Sequence, residues 1–142
     1  MLIAPAVGTG KNAPEVEALC RTLVAAGLSA AAIDLPLQGE RASAKLSARI
    51  AHCASGRALG AADQLLWREY LRQVACDLDA TRAALAHGGG VRPGAVGCAA
   101  FEPGAAAALA WAANAPDLRP CPPLAATADP RTVAASLREQ LS

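Results

Sequence analysis

The chain has 142 residues, 54% of them hydrophobic but only 3% aromatic, so its core must rest on closely packed small side chains. A formal net charge of +1, with acids and bases interspersed, gives no electrostatic basis for binding nucleic acid or an anionic membrane. Five cysteines at 20, 53, 76, 98 and 121, widely spaced and without a C-x-x-C, exclude a disulfide framework and a zinc site as readings of the pattern.

A single domain over 1–142 is expected from the length. Leu2 to Val7 reads as a first strand. Gly8-Thr-Gly-Lys11 follows as a turn, and Asn12-Ala-Pro-Glu15 has the composition of a helix start, with Asn12 as N-cap. Val16, Leu19, Cys20 and Leu23 share one face of that helix, and Gly27 stops it. Leu28 to Leu35 reads as a second strand. Strand, helix and strand within 35 residues make a βαβ unit, which requires a parallel sheet.

Residues 37 to 60 are polar and broken by glycine, with one short helix expected around Ser43–Cys53. A long helix is expected over Ala61 to His87, with Leu66, Tyr70, Val74, Leu78 and Leu85 inward and Arg68, Glu69, Arg72, Asp79 and Arg82 outward. Val96 to Phe101 reads as a buried central strand, Glu102-Pro103-Gly104 as a sharp turn, and Ala105 to Ala113 as a helix. The chain is then loop-like through Pro123. A short strand at Leu124 to Thr127 and a last helix starting at Asp129-Pro130 complete the pattern. The expected fold is α/β, a three-layer αβα sandwich around a small, mostly parallel sheet in strand order 2-1-3-4.

Strand, tight turn and helix with one polar residue at the apex is the layout of the nucleophile elbow, G-x-S-x-G. Here that pattern falls on Ala100-Phe101-Glu102-Pro103-Gly104, so Glu102 stands where a serine is expected. With Ile33-Asp-Leu-Pro-Leu-Gln-Gly-Glu-Arg41, the helix containing Leu66-Trp-Arg-Glu-Tyr70 and Asp77-Leu-Asp-Ala80, and Ala126-Thr-Ala-Asp-Pro130, the chain resembles the α/β-hydrolase superfamily. The nearest likeness is to the dienelactone-hydrolase and acyl-peptidase-like esterases. The resemblance implies a reduced α/β-hydrolase fold, an acid at Asp129, and a pocket around Gly8, Thr9, Gly10, Phe101 and Pro103 for a small acyl or ester molecule. No cofactor and no metal are implied.

The chain departs from that family at its chemistry. The family's base is a histidine after the acid, whereas His52 and His87 both precede Asp129. Pro103 removes a backbone N–H that an elbow normally aims at the oxyanion. The reading is therefore an impaired or non-catalytic relative of esterases.

Three alternatives stay open. The first is an active hydrolase using the Glu102 carboxylate or the Cys98 thiol. The second is a Rossmann-like nicotinamide-binding protein, since Gly8-Thr-Gly-Lys-Asn-Ala13 fits G-x-G-x-x-G/A and Asp34 ends the next strand. The third is a dimerising module that pairs through the sheet edge at Leu28–Leu35. Met1-Leu-Ile-Ala-Pro5 lacks the basic start of a signal peptide, and no long uncharged apolar stretch is present, so a cytoplasmic location and no membrane contact are expected.

Overall fold

The computed structural model describes residues 1–88, 91, 96–101, 108, 111 and 118–120. The chain runs β1 (Leu2–Ala4), α1 (Pro14–Ala25), β2 (Ala31–Ala32), a short 3-10 helix (Gly39–Arg41), α2 (Ala44–Ala54), α3 (Ala61–His87), β3 (Val96–Ala100) and β4 (Leu118–Pro120). The fold is mixed α/β. Its strands are parallel throughout and lie in the order β2-β1-β3-β4.

Register ties the sheet to the sequence. Leu2, Ile3 and Ala4 sit opposite Cys98, Ala99 and Ala100, while Leu2 and Ile3 also face Ala31 and Ala32. Successive strand residues point to opposite faces of a sheet. Leu2, Ala4, Val96, Cys98 and Ala100 accordingly join a buried cluster with Ile50 of α2 and with Tyr70, Val74 and Leu78 of α3. Ile3, Ala99 and Phe101 join a second cluster with Val16, Leu19 and Leu23 of α1. Alternation along two strands thus separates one helix from the other two. The small side chains of β3 are all buried.

The helices follow their sequence signals, with one correction at a cap. α3 spans Ala61–His87 as its composition predicts, with Gly88 as C-cap, and α2 fits the expected short helix. α1 begins at Pro14 with Ala13 as N-cap and no side-chain cap, so Asn12 does not take the capping position. Pro14 explains the shift: its fixed φ and missing N–H suit the first helical residue. At the other end Gly27 has φ +82, and its N–H donates to the Val24 carbonyl while that of Leu28 donates to Leu23. This is a Schellman closure, which needs a left-handed residue at Gly27's place.

Two strands differ from expectation. β2 is only Ala31–Ala32, because the chain from Ile33 onward turns away into the loop held by Asp34. A strand forms at Leu118–Pro120, within a stretch that reads as loop from its prolines. Pro120 closes that strand in register with Cys98, and a strand's end tolerates a residue without an N–H. The strand expected at Leu124–Thr127 lies outside the described residues.

Candidate functional site

Because all the strands are parallel, the loops that follow β1, β2 and β3 emerge at the same end of the sheet. The order β2-β1-β3 makes the β1–β3 boundary a switch point, where open α/β sheets form a crevice for ligands. The turn after β1 holds Gly8, Thr9 and Gly10. The segment after β3 begins with Phe101, whose N–H donates to the Ala4 carbonyl at 3.0 Å, so pairing continues to the residue before Glu102. Glu102, Pro103 and Asp129 lie outside the described residues.

The turn after β1 is fixed by the loop after β2. Asp34, only 8% exposed, accepts three bonds at its carboxylate. They come from the Lys11 backbone N–H at 2.7 Å, the Lys11 ammonium at 3.0 Å and the Glu40 backbone N–H at 3.2 Å. Its carbonyl accepts from the Arg41 guanidinium. Burial alone would raise the Asp34 pKa, but these donors outweigh it and hold the carboxyl below its ordinary range. Lys11 is pushed up in turn by Asp34 and then Glu40.

Two glycines permit this close approach. A Cβ on Gly39, which has φ +53, would lie 2.1 Å from an Asp34 carboxylate oxygen. One on Gly10 would lie 2.9 Å from the same oxygen and from the Gly39 Cα.

Gln38 adds a second clamp. It is 2% exposed, and its Oε1 accepts the Gly8 N–H at 2.8 Å. The Thr9 N–H and hydroxyl both donate to the Ala6 carbonyl. The N–H groups of Gly8, Thr9 and Lys11 are therefore all engaged within the protein, and a backbone oxyanion hole would have to draw on Gly10. Asp34, which ends the next strand in the nicotinamide reading, already accepts three bonds from Lys11 and Glu40.

The remaining candidates are dispersed. Phe101 is buried in the α1-side cluster. Cys98 is buried in the cluster facing α3. His52 is exposed on α2, and His87 is exposed at the end of α3. Among the described residues no group of three or more His, Cys, Asp and Glu side chains is placed to hold a metal ion. None of the described helices is long and apolar enough to cross a membrane.

Several contacts have no signal in the sequence taken locally. Arg41 pairs with Asp77, joining the loop after β2 to α3 across 36 positions. Trp111, 2% exposed and helical, donates its indole N–H to Asp79 at 2.9 Å. Arg41 and Asp77 both fall in the hydrolase-like segments, and that is the one hint of their pairing. Comparison with protein-family models, with curated proteins and with solved structures returned no match.

Proposed function

We propose that this protein is a reduced α/β-hydrolase-like scaffold, a three-layer αβα sandwich, whose elbow carries Glu102 in place of the nucleophile. On this reading it is an impaired or non-catalytic relative of esterases for small acyl or ester molecules. The observation that carries the proposal is the parallel order β2-β1-β3-β4, with the buried small-residue strand Val96–Ala100 inside the sheet and ending two residues before Glu102 in the chain. Two further observations support it. Helix α1 packs on one face of β1 and β3 while α2 and α3 pack on the other. The loop Asp34–Arg41 is bound both to the turn after β1 and to Asp77.

Loss of turnover follows from the chemistry around the turn. Acyl transfer needs a nucleophile, a base in reach of it and donors aimed at the oxyanion. Gly8, Thr9 and Lys11 spend their N–H groups internally, and both histidines are exposed on helices.

The test is steady-state hydrolysis of short-chain nitrophenyl esters by the wild type, Glu102→Ala and Glu102→Ser. Equal background rates for wild type and Glu102→Ala are expected. Turnover by the wild type that disappears in Glu102→Ala would overturn the proposal and make Glu102 catalytic. A fluorescence titration with NADH in the same preparation separates the nicotinamide alternative, and no saturable signal is expected while Asp34 is held by Lys11 and Glu40.

Pairing of two chains through β2 is a second reading. It is favoured by one observation: β2 is an edge strand with Ala31 and Ala32 only half-buried.

A further inference from the structure

On the α3 side of the carboxyl end of β2 the structure holds a cavity of about 460 Å³, within the roughly 300–1,000 Å³ typical of small-molecule sites. Pro36, Leu37, Leu66 and Tyr70 form its apolar walls, and Arg41, Glu69 and Gln73 its polar ones. Three observations set it apart from an accidental hollow.

The first is strain in the wall. Leu37 has φ +60, the one positive φ among the described non-glycine residues, a left-handed conformation that a branched side chain rarely adopts. The position is held all the same, because the Ser47 hydroxyl donates to the Leu37 carbonyl and accepts from the Ser43 N–H. The second is Tyr70, 3% exposed, stacked on Trp67 at a centroid distance of 5.2 Å, with a buried hydroxyl that has no partner among the described residues. The third is Arg41. Its two bonds, to the Asp34 carbonyl and to Asp77, both use Nη1, so the Nε and Nη2 edge of this half-exposed guanidinium has no protein acceptor among the described residues.

We infer that this cavity binds a small apolar carboxylate, with the carboxylate on the Nε/Nη2 edge of Arg41 and the hydrocarbon body against Leu37, Leu66 and the Tyr70 ring. Charges on the rim are met in pairs, Arg41 by Asp77 and Glu69 by Arg72, so an anion would be held by the hydrogen-bonding edge of Arg41 and not by net charge. Glu69 is engaged by Arg72, at 2.5 and 2.9 Å, so its charge is met outside the cavity. Asp77 holds Arg41 through one carboxylate oxygen, and the Gln73 amide donates to the other oxygen of Asp77 at 3.0 Å. A planar guanidinium oriented in this way presents two parallel donors to a carboxylate, a geometry an ammonium cannot reproduce. This site uses none of Glu102, Asp129 or the turn after β1, so it stands or falls separately from the hydrolase-like reading.

Equilibrium dialysis of radiolabelled octanoate against the full chain tests it, with octanol as the neutral competitor. Saturable uptake is expected in the wild type, with octanol a poor competitor. Arg41→Lys should weaken uptake by about tenfold through loss of the two-point contact. Leu66→Trp, which fills the cavity and leaves Arg41 and Asp77 in place, should abolish it. The inference is overturned if the wild type takes up no octanoate saturably, or if Leu66→Trp takes it up as the wild type does. It is equally overturned if Arg41→Lys melts at the wild-type temperature and binds with wild-type affinity.

Discussion

Asp34 shows how one side chain decides the shape of the sheet's carboxyl end. It is buried, ionised and matched by three donors, two from Lys11 and one from Glu40. Removing it takes the acceptor from the Lys11 and Glu40 backbone N–H groups, while the Lys11 ammonium keeps Glu40 at 3.0 Å. Asp34→Ala is therefore expected to cost about 1–3 kcal/mol in urea denaturation, the cost of leaving backbone donors without their acceptor. The same residue sets a pH dependence. Its folded-state pKa lies below the unfolded value of about 3.9, so its contribution is fully present above that pH. It is lost as pH falls through the depressed folded value. A urea midpoint that falls in acid for the wild type but stays flatter for Asp34→Ala is the expected result. Identical acid profiles for the two would show that Asp34 is not ionised in the folded chain.

At the scale of elements, α3 is the hub. Its inward face supplies Tyr70, Val74 and Leu78 to the core, and the helix reaches three other segments through charged side chains. Asp63 binds Arg49 of α2, Asp77 binds Arg41, and Asp79 accepts the Trp111 indole N–H. These contacts differ in weight. The Arg41–Asp77 pair is half-exposed on the arginine side, which limits such a pair to roughly 1 kcal/mol or less. The Trp111 bond matters more, because the indole is buried and its donor has no alternative in water. Asp79→Ala should cost about 1–3 kcal/mol and shift tryptophan emission as Trp111 loosens. Unchanged stability and emission would show that packing alone seats Trp111.

For the molecule as a whole, the sheet is asymmetric. β1 and β3 are paired on both sides and covered by apolar clusters on both faces, whereas β2 is a two-residue edge. Opening β1 or β3 exposes both clusters, and opening β2 exposes little. Native-state amide exchange should therefore be slowest at Ile3, Ala4, Cys98 and Ala99, and markedly faster at Ala31 and Ala32. Slow exchange at β2 that depends on protein concentration would instead point to a second chain covering the edge.

Much of this was legible in the linear chain because it depends on local pattern. The apolar spacing of Leu66, Tyr70, Val74 and Leu78 and the terminal Gly88 bounded α3. The βαβ spacing required parallel strands, and Gly27 marked the end of α1. The apolar run at Val96–Ala100 marked a strand buried on both faces. The candidate site was less legible. Gly8, Thr9 and Gly10 were placed correctly as a turn after β1, but their N–H groups turned out to be spoken for by Gln38, Ala6 and, at Lys11, Asp34. Ala6 is a local turn partner, but Gln38 and Asp34 lie 30 and 23 positions away, and no local propensity encodes them.

Sequence by itself thus determined the helices Pro14–Ala25, Ala44–Ala54 and Ala61–His87, that the sheet is parallel and which faces are apolar, since periodicity, glycine and proline act within a few residues. Tertiary structure alone decided that Asp34 accepts three bonds from Lys11 and Glu40 and that β2 stops after two residues. It also decided that Leu37, Arg41 and Tyr70 meet around one cavity. The physical reason is the same each time. Burial and hydrogen-bond pairing depend on what lies across space, and only the folded chain brings Lys11, Gly39 and Glu40 around one carboxylate.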